Sequence, residues 1–462
     1  MKTVKKAHIV VGLGYGDEGK GTMTDFLCRY HKANLVVRFN GGPQAGHNVV
    51  MSDKTHHKFS QIGSATFVPG VATLISKHMF WDPIVLACEV QTLSEKIKRH
   101  ALNNHYIDGA APIVTPFHMV SNRVKEWCRG EGRHGSCGMG FGEAVLDSLI
   151  YSEHVLRASD LQNTSRVERV LSEIQMRKQA ELNTLGFDLE KIAKNAAELG
   201  KIISDPNLPA YYAETYSQLA KEFNILKASE VNRLIYHASG IVFEGAQGML
   251  LDEWYGFHPY TTWSTVGPDK AMSILDEAGF SGDREMVGVI RAYATRHGAG
   301  PFVTEDESMD GFYPNEHNCF NQFQDSFRIG WFDGIMFRYA LACAAKDRIQ
   351  TSIAVTHLDA IKRNGGIKFC GEYVSPIVSG SKDLFLGRYL QKGFNTVVDI
   401  CPEFTHCLER QGRMTEFLQG CRPVENGMFT SDAELLDCLY GKCNANIKYL
   451  SYGPTPEDKK VL

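Results

Sequence analysis

Apolar positions near the start of the chain fall into two successive patterns. Residues 9–13 form a short unbroken apolar run, long enough for a buried strand and too short for a helix. A glycine-rich loop, 14–21, follows it. From 22 to 29, Met23, Phe26 and Leu27 recur at helical spacing. The pattern predicts strand, loop, helix. Residues 35–39 predict a second strand, ending at the turn Asn40-Gly41-Gly42-Pro43. Strand-like runs return at 71–75, 241–243, 286–290 and 351–355, with helical patterns between many of them. This alternation predicts an α/β protein with a large, mainly parallel central sheet flanked by helices.

One stretch departs from the alternation. Residues 161–235 are polar and helix-patterned, and Val167, Val170, Leu171 and Ile174 fall at i, i+3, i+4 and i+7 on one face. The strand pattern resumes at 241 without a Pro/Gly/Ser linker. The stretch is therefore read as a helical elaboration packed on the sheet, within a single domain covering 1–462.

Composition narrows the function classes. The chain has 462 residues and a formal net charge of −4, so bulk charge gives no reason to expect nucleic acid or an anionic membrane as partner. No stretch reaches the roughly 18 apolar residues of a membrane helix. The basic start, Met1 to Lys6, leads into an acidic glycine-rich loop and not into a cleavage site. The 12 cysteines contain no C-x-x-C pair, which reads as ordinary thiols in a reducing compartment. A cytoplasmic location is expected.

The candidate chemistry begins in the first loop. Gly14-x-x-x-x-Gly19-Lys20-Gly21 approaches a Walker A loop, with Gly21 where Ser or Thr would stand. Its place after a strand and before a helix suits phosphate, because backbone N–H groups and the helix N-terminus face the anion. Lys20 adds a point charge. The acidic pair Asp17-Glu18 is unusual there. Carboxylates repel phosphates unless a metal intervenes or a substrate proton needs a base. The pair points to chemistry at the phosphate end.

The segment from Val11 to Gly21, VGLGYGDEGKG, resembles the N-terminal signature of adenylosuccinate synthetases. Val37 to Asn48, VRFNGGPQAGHN, resembles that family's second signature. Collinear matches continue through Phe243-Glu244-Gly245-Ala246-Gln247-Gly248, Pro259-Tyr260-Thr261-Thr262, Ala294-Thr295-Arg296-His297-Gly298, Arg328-Ile329-Gly330-Trp331, Thr356-His357-Leu358-Asp359 and Ser451-Tyr452-Gly453-Pro454.

The resemblance implies a ligase that uses GTP and Mg²⁺. Such a ligase phosphorylates the 6-oxo group of a purine nucleotide and replaces it with the amino group of aspartate, in purine nucleotide biosynthesis. It also implies a homodimer. By resemblance, Asp17 is the base and a magnesium ligand, His47 and Lys20 act on the transferring phosphate, and the backbone oxygen of Gly46 is a second magnesium contact. GTP would be held by Gly16, Asp17, Glu18, Gly19, Lys20, Gly21, Thr22, Gly46, His47, Asn48, Arg328, His357, Leu358, Asp359, Ser451, Tyr452 and Gly453. Asp359 would read guanine, since one carboxylate can accept from N1–H and the exocyclic amine together. The acceptor nucleotide would meet Asp17, Lys20, Gln44, His47, Ser136, Cys137, Gln247 and Thr262. The amino acid would meet Gln322, Ser326 and Arg328.

Departures from the family pattern gather on the acceptor side. Cys137 and Met139 stand where the family has Thr and Arg, Gln44 stands for Asn, and His357 for Lys. The arginine that the family sends across its dimer interface has no match; Glu153 and His154 are nearest. The amino-acid loop, 319–328, keeps only Arg328 of several arginines and contains Asp325. Dicarboxylate pockets need such cations. The expectation is the family reaction on an altered acceptor, such as a deoxynucleotide, a nucleoside or a related 6-oxopurine, with aspartate or a less acidic amine. Two other readings stay open: a catalytically silent nucleotide-binding paralogue, and a ligase of this mechanism acting on a non-purine.

Overall fold

A computed structural model describes residues 5–130, 134–185, 194–312, 326–345, 349–375, 389–391, 395–402 and 406–462. A ten-stranded sheet runs through the molecule. Its spatial order is Lys459–Val461, Ile447–Ser451, Gln350–Thr356, Asp283–Arg291, Lys6–Gly12, Gly240–Gly248, Leu35–Arg38, Ala72–Ile75, His105–Asp108, Asn224–Leu226. Neighbours pair in parallel except at the Lys459–Val461 edge, which is antiparallel. The strands predicted from apolar runs are the central ones. Both faces of the sheet are covered, so Lys6–Gly12 and Leu35–Arg38 are buried over nearly all their length, and Gln350–Thr356 is buried from Ser352 onward.

The outer strands escape that signal. His105–Asp108 holds only two apolar residues, and Asn224–Leu226 is three residues long at an edge. The latter lies inside the 161–235 stretch, which is therefore not wholly helical. Helices Thr164–Thr184 and Leu208–Ala220 account for most of the rest. Val167, Val170, Leu171 and Ile174 are all buried, and pack with Trp81, Phe117 and Tyr216 in one apolar cluster. A second, smaller sheet contains Phe332–Asp333, Ile367–Val374, Thr396–Ile400, Tyr389–Gln391 and Arg422–Phe429. Its strands Ile367–Val374, Thr396–Ile400 and Arg422–Phe429 are partly exposed, and no strand signal was read there. A hairpin, His47–Val50 with His56–Phe59, and a separate antiparallel pair, Ala294–His297 with Phe327–Gly330, complete the described strands.

The arrangement fixes where a site can form. In an open parallel sheet, ligands bind beyond the carboxyl ends of the strands. The loop 14–19 leaves the carboxyl end of Lys6–Gly12 at the middle of the sheet. Residues 357–359 leave Gln350–Thr356, residues 452–453 leave Ile447–Ser451, and Gln247 ends Gly240–Gly248. Segments hundreds of residues apart in sequence converge on one edge. Among the described residues, no helix is long and apolar enough to cross a membrane.

Candidate active site

A cleft of about 1650 Å³ opens at that edge. Its wall carries Gly16, Asp17, Gly19, Lys20, Gly21, Thr22, Gln44, Gly46, His47, Asn48, Ser136, Cys137, Gln247, Thr262, His357, Asp359, Ser451 and Gly453. Most residues expected from the sequence thus meet on one surface.

The loop splits its acidic pair. Glu18 is buried. Its carboxylate accepts from Gly14 N at 3.0 Å and Gly16 N at 2.8 Å, and pairs with Lys20 Nζ at 2.5 Å. It braces the loop from inside. Asp17 is exposed to the cleft, and its side chain has no hydrogen-bond partner among the described residues. The helix Lys20–His31 is capped by Gly19 in the left-handed region, without a side-chain cap. Asp17 is therefore not spent on capping.

Gly21 occupies the Walker serine position because another residue fills the space. A Cβ there would stand 2.6 Å from the Cβ of His47 and 3.0 Å from Oγ of Ser64. His47 in turn is held from behind. Its Nδ1 lies 2.5 Å from Oε1 of Glu244, a wholly buried carboxylate that also accepts from the hydroxyl of Ser64 and, at 2.9 Å, from Ser64 N. Burial pushes the Glu244 pKa up, but Arg38, His47 and Ser64 outweigh it and hold the pKa at about 2. An ionised carboxylate only accepts, so Nδ1 is the protonated nitrogen of His47. Burial pushes the His47 pKa below its usual value against the opposing pull of Glu244. Glu244 has no assigned role in the sequence reading. A charged residue in the middle of an apolar strand, Ile241-Val242-Phe243-Glu244, was the available signal.

Among the described residues, seven non-glycine residues have positive φ. Lys32, Lys98 and Asn444 end helices, and Lys54 lies in a hairpin turn. The other three, Asp17 (60°), Gln247 (58°) and His357 (57°), all line the cleft. Such backbone costs roughly 1–2 kcal/mol per residue. Strain of this kind collects where a side chain must be aimed.

At the far end of the cleft, Thr356 Oγ1 donates to Glu18 O at 2.7 Å, tying the loop to the Gln350–Thr356 strand. The His357 ring packs against Gly19. Burial, with Arg291, Lys459 and Arg363 nearby, pushes its pKa well down, so it is a neutral imidazole. Asp359 is half-buried and faces Arg363 at 3.3 Å; burial raises its pKa and Arg363 opposes that. Leu358 is buried and its N–H donates to Ser451 O at 3.1 Å.

Several expected residues lie elsewhere. The Tyr452 hydroxyl donates to Asp432 at 2.6 Å, and Tyr452 is not on the cleft wall. Arg328 is also off the wall. It donates to the carbonyls of Gly298 and Gly300 and pairs with Glu305 at 2.7 Å, which leaves it holding a loop. Ser326 is exposed beside it and likewise off the wall. Gln322, Cys319 and Asp325 lie outside the described residues.

On the acceptor side, Ser136 shares hydrogen bonds with Asn122, and burial raises the Cys137 thiol to about 11. The cations there are engaged. Lys125 pairs with Glu143 at 2.7 Å and Glu181 at 2.5 Å, and Arg129 pairs with Glu126.

Among the described residues, no group of three or more His, Cys, Asp or Glu is placed to hold a metal. Asp17 and the Gly46 carbonyl are hard oxygen donors on the same wall. That set fits Mg²⁺, which is usually bound by one or two carboxylates together with substrate phosphates and water.

The family model for adenylosuccinate synthetase matches residues 9–456. The adenylosuccinate synthetase of Desulforamulus reducens is 31% identical over 375 residues, covering 79% of this chain and 80% of that one. That of Pelotomaculum thermopropionicum is 33% identical over 372 residues, with 79% and 80% covered. Among solved structures, the fully ligated adenylosuccinate synthetase of Plasmodium falciparum aligns over 100% of both chains, with TM-score 0.72 and 20% identity. The succinoaminodeoxyadenylate synthetase of cyanophage S-2L, bound to dGMP and dATP, aligns over 99% and 95% with TM-score 0.59 and 15% identity. The two structures share the fold. The family model, the sequence relatives and the strand-end cleft agree: this chain belongs to the adenylosuccinate synthetase family, whose members are GTP-using ligases that form a C–N bond.

Proposed function

We propose that this ligase phosphorylates the 6-oxo group of an IMP-like purine nucleotide with GTP and replaces it with the amino group of aspartate or a related amine. The observation that carries this reading is Asp17. It is an unpartnered carboxylate held at φ 60° at the mouth of a phosphate loop, on the same wall as His47 with its buried Glu244. A protein that only stored nucleotide would need neither the strained acid nor the braced histidine.

The oxo group of a 6-oxopurine is a poor leaving group, so it must be phosphorylated before an amine can displace it. Asp17 accepts the N1 proton, which places negative charge on O6 as it attacks the terminal phosphate. Lys20 and the loop amides hold the phosphates at the helix N-terminus. His47 keeps Nδ1–H on Glu244, so its other nitrogen carries a proton only in the imidazolium form. In that form it donates to the transferring phosphoryl oxygens. When bound between Asp17, Gly46 and the phosphates, Mg²⁺ would neutralise part of the triphosphate charge. Asp359 reads the guanine base. The acceptor wall, changed at Gln44 and Cys137 and carrying Ser136, tunes which 6-oxopurine enters; Gln247 and Thr262 contact it. Gln322, Ser326 and Arg328 belong to the amino-acid side of this reading, and the active form is a homodimer.

The test is phosphate release with GTP, Mg²⁺, a panel of 6-oxopurine nucleotides and nucleosides, and mixed amino acids, with product masses recorded. Release that requires both an acceptor and an amine supports the reading. Absence of acceptor-dependent release across the panel would sink it.

A further inference from the structure

We propose that Lys58 is a phosphate-binding residue of this site, reaching the triphosphate from the hairpin that faces the phosphate loop. This rests on the nucleotide-binding reading above.

Lys58 lies on the strand His56–Phe59, whose burial alternates strictly: His57 and Phe59 point inward, His56 and Lys58 outward. It pairs across the hairpin with Asn48, so the two side chains share a face, and both line the cleft. The Lys58 side chain lies flat over the backbone of Gly46. A Cβ at Gly46 would overlap its Cε and stand 3.2 Å from Nζ. A glycine at 46 therefore leaves the lysine room to lie over this backbone beside the cleft.

The charge balance of the cleft then singles it out. Lys20, Lys125, Arg129 and Arg363 each face a carboxylate. The other cleft cations, apart from Lys58, donate to neutral oxygens. Among the described residues, the Lys58 ammonium alone of this set has no hydrogen-bond or ion-pair partner. A nucleoside triphosphate brings about four negative charges at neutral pH, and phosphate sites gather cations to meet them. Lys20 arrives half-neutralised by Glu18. Lys58 supplies the uncommitted charge, and the hairpin brings it to the cleft without burying it.

The test is binding of a non-hydrolysable GTP analogue, and of guanosine as a phosphate-free control, to the wild-type protein and to Lys58→Met and Lys58→Arg. The side chain is exposed, so both variants should fold. Lys58→Met should weaken the analogue at least tenfold and change guanosine less than threefold, while Lys58→Arg stays within about threefold of wild type for both. Unchanged binding of the analogue by Lys58→Met overturns the role, as does an equal loss for guanosine. A wild-type protein that binds no nucleoside triphosphate overturns the nucleotide reading itself, and is told apart by failing before any substitution.

Discussion

At the residue scale, Asp17 and His47 carry the proposed chemistry from positions on one cleft wall. Asp17 holds an unfavourable backbone conformation that glycine would accept freely and asparagine tolerates. Asp17→Gly should therefore raise stability by about 1 kcal/mol while lowering turnover roughly 10²- to 10⁴-fold, the range of a positioned base. Melting temperature and turnover, measured together, check this; a variant that loses stability as well would show a structural acid. For the histidine, Glu244→Gln keeps an acceptor on Nδ1 but removes the charge that favours the imidazolium. Its pKa would fall further, so the decline of kcat with rising pH should move to lower pH, with kcat down roughly 10- to 100-fold. An unmoved pH profile would leave Glu244 with packing alone.

At the scale of elements, the site is assembled by strand ends. The phosphate loop and the Asn40–Asn48 segment follow the apolar runs 9–13 and 35–39, whereas Gln247 and residues 357–359 were legible only through their resemblance to the family's motifs. The outer strands were not legible, since His105–Asp108 and Asn224–Leu226 are too short or too polar to carry a period. Glu244 was read only as part of a motif, because its partners Ser64 and His47 are 180 and 197 residues away. The roles of Arg328 and Tyr452 depend on what each side chain reaches, and sequence spacing does not encode that. The close fit of helix Lys20–His31 against the His47 hairpin gives a prediction of its own. Gly21→Ala places a methyl 2.6 Å from the His47 Cβ, which displaces the histidine. Turnover should fall roughly tenfold or more, as misplacement of a reacting group by about 1 Å costs up to about 10²-fold. Wild-type turnover in this variant would mean that the hairpin moves freely.

At the scale of the molecule, buried neutral histidines set an acid limit. His105 is wholly enclosed in the sheet, its ring nitrogens lack partners, and burial holds its pKa at about 3. A histidine with a depressed folded pKa contributes its full stability above the unfolded value of about 6.5 and loses it as pH falls toward the folded value. At pH 5 this amounts to roughly 2 kcal/mol. Buried Asp82 and Asp333, both raised to about 6, act in the opposite sense, so the comparison must be made against a variant. His105→Phe should flatten the fall in melting temperature between pH 7 and pH 5. Parallel pH curves for the two proteins would contradict this source of acid sensitivity.

The central claim is that the terminal phosphate of GTP is passed to the oxo group of the acceptor, so that the oxygen leaves with it. An acceptor labelled with ¹⁸O at the 6-oxo position, turned over with GTP and an amine, tests this directly by mass spectrometry of the released phosphate. Each phosphate released should carry one ¹⁸O, and the aminated purine should be unlabelled. Unlabelled phosphate, with the label still in the purine, would show that water takes the phosphoryl group and would contradict it.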